Sequence, residues 1–488
     1  MATALPTNRC EMTLAEIAQA TGGTLFGDGT RRIRGVSTDS RAIEPGGLFV
    51  ALKGLSHDGH AYLAAAAARG AAAAVVGRGT IAPIERVEVN DTLDALGRIA
   101  SHHIHRIRAR RPIPTIAIGG AVGKTTTKEL TAAAARALFG RTLATGGNLN
   151  NLIGVPLTLL GLDENHQAMV IECGTNSPGE IARLARIVEP DVAMVLNAEI
   201  EHTEGLGTRE GVADEEAALF GGARKAIVTW AEDPLLVARI PHDRVPAIFF
   251  GTGDRADVRM ARRSITAQGL SKVRIEFRAG IITPGAPAYV DLELCLLGPA
   301  GALNAAAAIA AVAATHPLRT EQLPQLAAAL GAVEPVAGRL VLKQAGSIRV
   351  LDDTYNANPS SVRVALETAR EVADQTEARM VVAMGDMLEL GTLSRELHIE
   401  AISEAIAARP AALVVVGPEM TAAAAAQQNR AGFQPITAPD SAAAAPIVRA
   451  LLRVGDLLLV KGSRGIAMER VIDGLDDLPG GDNKRGAR

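Results

Sequence analysis

The chain has 488 residues, of which 48% are hydrophobic, 21% are charged and only 2% are aromatic. A chain of this length is too long for a single hydrophobic core, and about three domains are predicted. With few aromatic residues, the cores must be filled by Ala, Val, Leu and Ile, which is typical of helices packed on parallel strands. The formal net charge of −3 excludes a general attraction to nucleic acid or to an anionic membrane, so charged ligands must be held at local sites.

The cysteines and the N-terminus indicate the compartment. Cys10, Cys173 and Cys295 are far apart and have no CxxC spacing, which argues against a disulfide framework or a metal site. The first residues lack the basic-then-apolar order of a signal peptide, and no apolar run approaches the roughly 20 residues of a membrane helix. We therefore expect a cytoplasmic protein that does not insert into a membrane. We also expect a monomer that binds no nucleic acid.

The first predicted domain comprises residues 1–88. Thr13 and Glu16 have the spacing of a capping box and precede an apolar helical pattern. Residues 48–52 form a short apolar run after a Gly-rich turn, which predicts a buried strand. A helix is then predicted over residues 91–111, before a Pro-containing linker.

The second predicted domain, residues 89–335, alternates apolar strands with helix-length segments. This rhythm is typical of an α/β fold with a parallel sheet and crossover helices. The predicted strands are 115–118, 169–173, 192–196 and 226–229.

The third predicted domain, residues 336–488, repeats the rhythm on a smaller scale. It is interpreted as a doubly wound, Rossmann-like α/β domain. Its predicted strands are 348–351, 380–384, 413–416 and 457–460.

A glycine-rich loop follows the first strand of the second domain and precedes a helix. It contains Gly120, Gly123, Lys124, Thr125 and Thr126. Backbone N–H groups and a helix N-terminus in this context hold phosphates, with the lysine on the terminal phosphates and the first threonine on Mg²⁺. The alternative, an ordinary strand–helix turn, is disfavoured by the flanking strand and helix.

Two further residues follow strands at the edge where α/β sheets bind ligands. Glu172 closes one strand and is a candidate Mg²⁺ ligand, against the alternative of a solvated strand-end carboxylate. His202 follows the next strand and has carboxylates as neighbours in the sequence. Two interpretations, a second metal ligand and an ordinary loop histidine, are equally supported. By contrast, His102, His103 and His105 are interpreted as a solvated basic face rather than a metal cluster.

Two polar loops end strands of the third domain. One runs from Asp352 to Pro359 and the other from Lys461 to Arg464. Either could be a simple turn, but two polar strand ends in one small domain favour a ligand site facing the phosphate loop across a cleft.

These motifs, in this order, resemble the Mur ligase family over nearly the whole chain. The motifs that carry the resemblance are Ser37–Arg41, 45–52 and 58–60 in the first domain, the phosphate loop, 147–151, 154–156, Glu172 and 178–181 in the second, and 338–339, 353–359, 385–391, His398, 461–464 and 468–469 in the third.

The resemblance implies an ATP- and Mg²⁺-dependent amide ligase of peptidoglycan precursor synthesis. The peptide carboxylate of a UDP-linked muramoyl peptide would take the γ-phosphoryl group of ATP, and the amine of D-Ala-D-Ala would then displace phosphate from the acyl phosphate. Such chemistry requires charge neutralisation and close positioning of three substrates.

The resemblance also implies the site residues. Catalytic roles fall to Lys124, Glu172, His202 and Arg339, and metal binding to Thr125, Glu172, His202 and Glu216. Nucleotide contacts fall to Gly120, Gly123, Lys124, Thr125, Thr126, Asn304, Asp353 and Asn356. Substrate contacts fall to Ser37, Thr38, Asp39, Ser40, Arg41, Asn148, Asn151, Asn358, Lys461, Ser463 and Arg464.

The sequence departs from the family around the nucleotide. Gly119, Ala121 and Val122 stand where the family's loop carries Thr, Ser or Thr, and Asn. Glu216 stands where the family has a carbamylated lysine, and Ala300–Gly301 replace a His-Asn pair that contacts adenine. These changes keep open two alternatives to a working ligase of this reaction: a ligase repurposed for another amine and carboxylate, and a catalytically silent paralogue that acts by binding.

Overall fold

A computed structural model describes residues 5–54, 57–200, 203–241, 243–266, 270–283, 288–427 and 434–475. The first domain is a five-stranded sheet of order β2-β7-β6-β5-β4, in which β4 to β7 pair in parallel and β2 pairs antiparallel to β7. Its elements are β1 (Glu11–Thr13), α1 (Leu14–Thr21), β2 (Thr24–Phe26), β3 (Arg32–Arg34), β4 (Val36–Ser37), β5 (Leu48–Val50), a 3-10 helix (Gly59–Tyr62), α2 (Leu63–Ala68), β6 (Ala73–Gly77) and β7 (Glu85–Val89).

The capping box predicted at the first helix is confirmed. The Thr13 hydroxyl accepts the backbone N–H of Glu16, and the Glu16 carboxylate accepts the backbone N–H of Thr13. The two contacts satisfy free N–H groups at the start of α1.

Helix α3 (Thr92–Arg108) joins the first two domains and confirms the helix predicted over 91–111. Asp91 caps its N-terminus, and its buried face packs against α1 and the middle domain. Its three histidines do not act together: His103 is buried and donates to the carbonyl of Leu162 at 2.9 Å, whereas His105 contacts Glu189 at 3.0 Å. The interpretation of a solvated face was therefore wrong for His103.

The middle domain is built on a nine-stranded sheet, and its predicted strands are confirmed to within one residue at each end. Its elements are β8 (Thr115–Gly119), α4 (Lys124–Phe139), β9 (Thr142–Ala144), α5 (Gly154–Leu159), β10 (Ala168–Glu172), α6 (Glu180–Val188), β11 (Val192–Val195), α7 (Thr203–Leu206), α8 (Arg209–Ala217), a 3-10 helix (Ala218–Gly222), β12 (Ala226–Trp230), α9 (Pro234–Val237), β13 (Ala247–Gly251), β14 (Val258–Ile265), β15 (Ser271–Phe277), β16 (Tyr289–Leu294), α10 (Gly298–Ala313), a 3-10 helix (Thr320–Gln322) and α11 (Leu323–Gly331).

The strand order in this sheet is β16-β15-β14-β13-β12-β11-β8-β10-β9. Strands β8 to β13 pair in parallel, as predicted, and β14 joins β13 in parallel as well. Strands β15 and β16 then continue the sheet from β14 as an antiparallel extension. Helix α10, almost entirely buried and rich in Ala, packs closely on α4 beside the sheet. The small Ala side chains allow the two helices to pack closely, so this core is filled without large aromatic side chains.

The third domain has a six-stranded sheet of order β17-β18-β22-β19-β20-β21, parallel except for the edge strand β17. The predicted doubly wound architecture is confirmed. Its elements are β17 (Val341–Ala345), β18 (Ile348–Asp353), α12 (Pro359–Gln375), β19 (Met380–Gly385), a 3-10 helix (Gly391–Leu393), α13 (Ser394–Ala407), β20 (Ala412–Val416), α14 (Pro418–Gln427), β21 (Ile436–Ala438), α15 (Ser441–Leu451), β22 (Leu457–Lys461), a 3-10 helix (Arg464–Ile466) and α16 (Glu469–Asp473).

The third domain docks on the middle domain through α12. Gly298, at the start of α10, lies so close to α12 that a Cβ there would stand 2.3 Å from the Thr368 hydroxyl. On the same interface Arg263 of β14 forms an ion pair with Glu371 of α12. Among the described residues, no helix has the length and apolarity needed to cross a lipid bilayer.

Candidate functional site

The phosphate loop lies between β8 and α4, as the sequence predicts. Gly120 and Gly123 adopt positive φ angles of 120° and 91°, a backbone region that side chains with a Cβ rarely enter. The loop delivers the chain into the N-terminus of α4, a helix of 16 residues. Unpaired N–H groups and the helix dipole at such a terminus favour an anion.

Lys124 begins α4 and folds back over this loop. Its Nζ donates to the carbonyls of Gly120 and Ala121, the latter at 3.0 Å. The ammonium group is therefore held at the mouth of the loop, where it adds a positive charge to the helix N-terminus. A phosphate seated on the loop would meet both.

Glu172 closes β10 beside the phosphate loop and is only 1% exposed. Its Oε1 accepts from Asn150 Nδ2 at 2.8 Å and from the Thr125 hydroxyl at 3.3 Å. Its Oε2 is buried and has no hydrogen-bond partner among the described residues. A bare buried carboxylate oxygen is costly unless a cation or a donor completes it.

Glu216, on α8, lies on another side of the same loop and is 2% exposed. Its Oε2 accepts the backbone N–H of Gly120 at 2.6 Å. The Cys173 thiol lies near Glu172 and Glu216, and its pKa is raised by complete burial first and by the two carboxylates second. Cys173 is therefore a buried neutral thiol.

The third domain contributes a buried ion pair to the site. Lys461 Nζ, at the end of β22, donates to Asp353 Oδ2 at 2.6 Å and to the carbonyl of Asn356 at 2.9 Å. Lys461 is 2% exposed and Asp353 is 8% exposed. The pair joins the two polar strand ends singled out in the sequence and fixes one wall of the cleft.

Arg339 enters the site from the segment that links the middle and third domains. Its guanidinium stacks over the Tyr355 ring at 4.2 Å from the ring centroid. On either side of it, Gly338 O accepts the N–H of Tyr355 at 2.9 Å and Leu340 N donates to Asp353 Oδ1 at 3.2 Å.

Most of these residues line one cavity of about 250 Å³ between the middle and third domains; Gly120, Cys173, Glu216 and Gly338 do not. Its lining includes the phosphate loop and apolar side chains at the start of α10 and on α12, among them Leu296, Leu297 and Val364. Of the predicted residues, the cavity is lined by Gly123, Lys124, Thr125, Thr126, Asn148, Glu172, Asn304, Arg339, Asp353, Asn356, Asn358 and Lys461.

Other predicted residues do not line this cavity. In the first domain, Ser37 and Asp39 share local hydrogen bonds, Arg41 pairs with Asp39 at 2.9 Å, and Ser40 is buried. The hydrogen bonds from Arg41 lower the pKa of Asp39 despite partial burial. Thr38 belongs to the same segment, which lies outside the cavity lining.

Three polar residues serve neighbouring backbone or side-chain groups. Asn151 Oδ1 accepts the N–H of Gly154 at 2.8 Å at the start of α5. The Ser463 hydroxyl accepts the N–H of Leu388 at 2.9 Å and donates to the carbonyl of Ala357, while Arg464 pairs with Glu469. His202 lies outside the described residues.

Several lining residues were missed by sequence reasoning. Asn150, Tyr355 and Ser361 line the cavity. Asn150 stands between Asn148 and Asn151, and only the fold shows which of the three amides reaches Glu172. Tyr355 lies within the polar loop that was predicted to face a ligand, so its position in the sequence indicated a place in the site. The tyrosine side chain itself did not indicate a role.

The donor set partly fits a magnesium ion. The Thr125 hydroxyl and the bare Oε2 of Glu172 are hard oxygen groups beside the phosphate loop, as Mg²⁺ requires. No group of three or more His, Cys, Asp or Glu side chains that could hold a metal occurs among the described residues. Mg²⁺ in nucleotide sites is usually bound by one or two carboxylates together with substrate phosphates.

The phosphate loop at the carboxyl edge of a parallel sheet, facing a second α/β domain across a cavity, defines a nucleotide-dependent enzyme. Comparison with known proteins narrows this class. The "Mur ligase family, catalytic domain" profile matches residues 32–104, "Mur ligase middle domain" matches residues 118–312, and "Mur ligase, glutamate ligase domain" matches residues 338–464.

Curated relatives match over nearly the full length. The UDP-N-acetylmuramoyl-tripeptide–D-alanyl-D-alanine ligase of Escherichia coli is 34% identical over 478 residues, covering 96% of this chain and 98% of that protein. The ligase of the same name from Bacillus subtilis is 30% identical and covers 96% of this chain and 99% of that protein. The chain belongs to the Mur ligase family, and it is an ATP-dependent ligase.

Solved structures of the family share the fold. MurF from Acinetobacter baumannii aligns with a TM-score of 0.83 and 29% identity, over 96% of this chain and 100% of that chain. MurF from Thermotoga maritima, solved in complex with ADP, aligns with a TM-score of 0.77 and 25% identity, over 90% of this chain and 96% of that chain.

Proposed function

We propose that this protein joins D-alanyl-D-alanine to UDP-N-acetylmuramoyl-tripeptide, using ATP and Mg²⁺. The observation that carries the proposal is the convergence of Lys124, Thr125 and Glu172 with Asp353 and Lys461 on one cavity. The convergence occurs in a chain that matches a ligase of that name over 96% of its length. The reaction belongs to the cytoplasm, where the nucleotide-linked precursor and ATP are both available.

The phosphate loop and Lys124 would bind the β- and γ-phosphates. The α4 N-terminus and the Lys124 ammonium offset negative charge as the γ-phosphoryl group moves to the peptide carboxylate. Gly123 and Thr126 would contribute backbone N–H groups to the same cradle. Gly120, whose own N–H donates to Glu216, would contribute the turn that shapes the cradle. The phosphorylated carboxylate would then be attacked by the amine of the dipeptide, and phosphate would leave.

Thr125 and Glu172 would hold the magnesium ion, which supplies charge neutralisation at the transferring phosphate. Thr125 donates its proton to Glu172 Oε1, so its lone pairs stay available to a cation, and Oε2 of Glu172 has no other partner among the described residues. His202 and Glu216 stay proposed ligands. Glu216 Oε2 accepts the Gly120 N–H, which places this carboxylate beside the phosphate loop.

Substrate binding would be divided among the domains, with the proposed boundaries at 1–88, 89–335 and 336–488. Ser37 to Arg41 of the first domain would bind the UDP moiety, and Asn148 and Asn151 the muramoyl peptide. Asn304, Asp353 and Asn356 would contact the nucleotide, while Arg339, Asn358, Lys461, Ser463 and Arg464 would bind or frame the reacting groups.

The test is phosphate release by the purified monomeric protein with ATP, Mg²⁺, UDP-N-acetylmuramoyl-tripeptide and D-Ala-D-Ala, omitting each substrate in turn. Release must require all of them and must disappear in Lys124→Ala. Lys272→Ala, which removes an exposed lysine from β15, is the matched control and should retain wild-type release. Release without D-Ala-D-Ala but with another amine would instead establish a repurposed ligase.

A silent paralogue that binds the precursor is the second candidate. The observation that favours it is that Ala300 and Gly301, which line the cavity, stand in place of the family's polar pair. Gly301 leaves no room for a side chain, because a Cβ there would lie 2.8 Å from that of Leu296. Binding of the UDP-peptide without any phosphate release, with every substrate present, would favour this candidate over the ligase.

A further inference from the structure

Asn150 holds the side chain of Glu172 in a defined orientation. The Asn150 amide donates to Oε1 at 2.8 Å, and the Thr125 hydroxyl donates to the same oxygen at 3.3 Å. Oε2 receives no hydrogen bond from the described residues. The two ends of this buried carboxylate are therefore chemically distinct: one oxygen has two donors and the other has none.

Asn150 is itself fixed by the backbone that follows Glu172. Its carbonyl accepts the N–H of Gly174 at 2.8 Å. Gly174 lies directly against its amide, since a Cβ there would stand 2.8 Å from Nδ2. The backbone of Glu172 is held in turn, because its N–H donates to the Thr145 hydroxyl at 2.9 Å.

We propose that Asn150 is a positioning residue for the metal-bearing nucleotide. By occupying Oε1, the amide fixes the carboxylate so that Oε2 is the oxygen presented to a divalent cation. Without that donor, Oε1 keeps only the longer contact from the Thr125 hydroxyl at 3.3 Å and the carboxylate is freer to rotate, so the cation must also select one orientation. The inference rests on the proposed function, because it assumes that Mg²⁺ accompanies the nucleotide in this cavity.

Partners that orient a metal ligand, without touching the metal, commonly change metal affinity by about 10–100-fold when removed. The neighbouring Asn151 does not perform this task, because its amide oxygen caps α5. Gly174 is part of the same device: a methyl group at this position would displace the Asn150 amide from Glu172.

The test measures ADP binding by titration calorimetry, with Mg²⁺ and with EDTA, and takes the ratio of the two affinities. The variants are Asn150→Leu, which keeps the branched shape and removes the donor, and Gly174→Ala, which acts through sterics alone. Glu172→Gln is the reference, and Asn165→Leu, at an exposed position before β10, is the matched control.

We expect Asn150→Leu and Gly174→Ala to lower the Mg²⁺-dependent gain in ADP affinity by about 10-fold or more, with ADP affinity in EDTA unchanged. Asn165→Leu should match the wild type. A wild-type gain in Asn150→Leu, with the gain lost in Glu172→Gln, would overturn the positioning role and leave the proposed function intact. An equal loss with and without Mg²⁺ would also overturn it, as a general structural effect. A retained gain in Glu172→Gln would instead remove Glu172 from the proposed metal site.

Discussion

The carboxylate of Glu216 accepts the backbone N–H of Gly120 at 2.6 Å, so α8 is tied directly to the first turn of the phosphate loop. The same carboxylate explains a second departure from the family. A Cβ on Gly119 would stand 2.7 Å from Glu216 Oε2, a distance that side-chain carbons do not tolerate. The Glu216 carboxylate can occupy this position only because residue 119 has no side chain.

Glu216→Ala is expected to destabilise the protein, because the buried N–H of Gly120 loses its acceptor at a cost of about 1–3 kcal/mol. Glu216→Gln keeps an acceptor oxygen and should stay close to the wild type. Thermal unfolding of the two variants checks this, with Glu210→Ala, exposed on the same helix, as the control. Equal losses in Ala and Gln would show that the charge, and not the hydrogen bond, holds the loop.

Gly119→Ala should be destabilising in the wild type and much less so in the Glu216→Ala background. The reason is that the added methyl group meets the Glu216 carboxylate first and the Leu219 side chain, at 3.2 Å, only second. A double-mutant cycle on melting temperatures measures the coupling. Additive effects of the two substitutions would contradict the pairing of residues 119 and 216.

Lys461→Met should lower stability by about 3–5 kcal/mol, because Asp353 is left as a buried charge without its partner. Adding Asp353→Asn should recover part of the loss, since the amide oxygen can still accept from Leu340 and no unpaired charge remains. Urea unfolding followed by circular dichroism compares the variants. A double variant less stable than Lys461→Met would show that the ion pair is not the source of the effect.

Arg263→Glu should loosen the docking of the third domain by placing two carboxylates together at the interface. The radius of gyration from small-angle X-ray scattering should rise, and the reversed pair Arg263→Glu with Glu371→Arg should restore it. Arg262→Glu, exposed on the same strand, is the matched control. An unchanged radius in Arg263→Glu would mean that α10 and α12 hold the domains together without the ion pair.

Stability should fall on acidification below about pH 6.5, the ordinary pKa of histidine. Burial lowers the pKa of His103 in the folded protein. Between this lowered pKa and the ordinary one, His103 is protonated in the unfolded chain and neutral in the folded chain. Stability from this group is therefore complete above the unfolded pKa and declines as the pH falls below it. Melting temperatures between pH 5 and pH 7.5 test the effect, which should be smaller in His103→Gln; an identical pH slope in that variant would assign the loss to other groups.

The strands of the parallel sheets were predictable because they are buried on both faces and read as continuous apolar runs, as in β8, β10 and β22. The antiparallel extension from β14 to β16 escaped the same criterion. Strands β15 and β16 alternate buried residues with exposed or half-buried ones, most of them charged, and in β14 only Val258 is buried, so none of the three gives an apolar run. Their addition to the edge of the sheet depends on contacts that distant segments provide.

In the site, Lys124 and Glu172 were predictable because each follows a strand whose carboxyl end must face a ligand. The amides at 148, 150 and 151 were not separable, since the direction of each side chain is set by how the loop packs on Glu172 and α5. The pairing of Asp353 with Lys461, residues far apart in the chain, needed the register of β18 beside β22.

The contacts of Gly338 and Leu340 with Tyr355 and Asp353 make the end of the interdomain segment part of the third domain. Any rotation of that domain must pivot before residue 338, in the stretch that follows α11. Arg339 would then travel with the third domain and withdraw its charge from the phosphate loop as the cleft opens. The position of the Arg339 guanidinium in the cavity would thus depend on the angle between the middle and third domains.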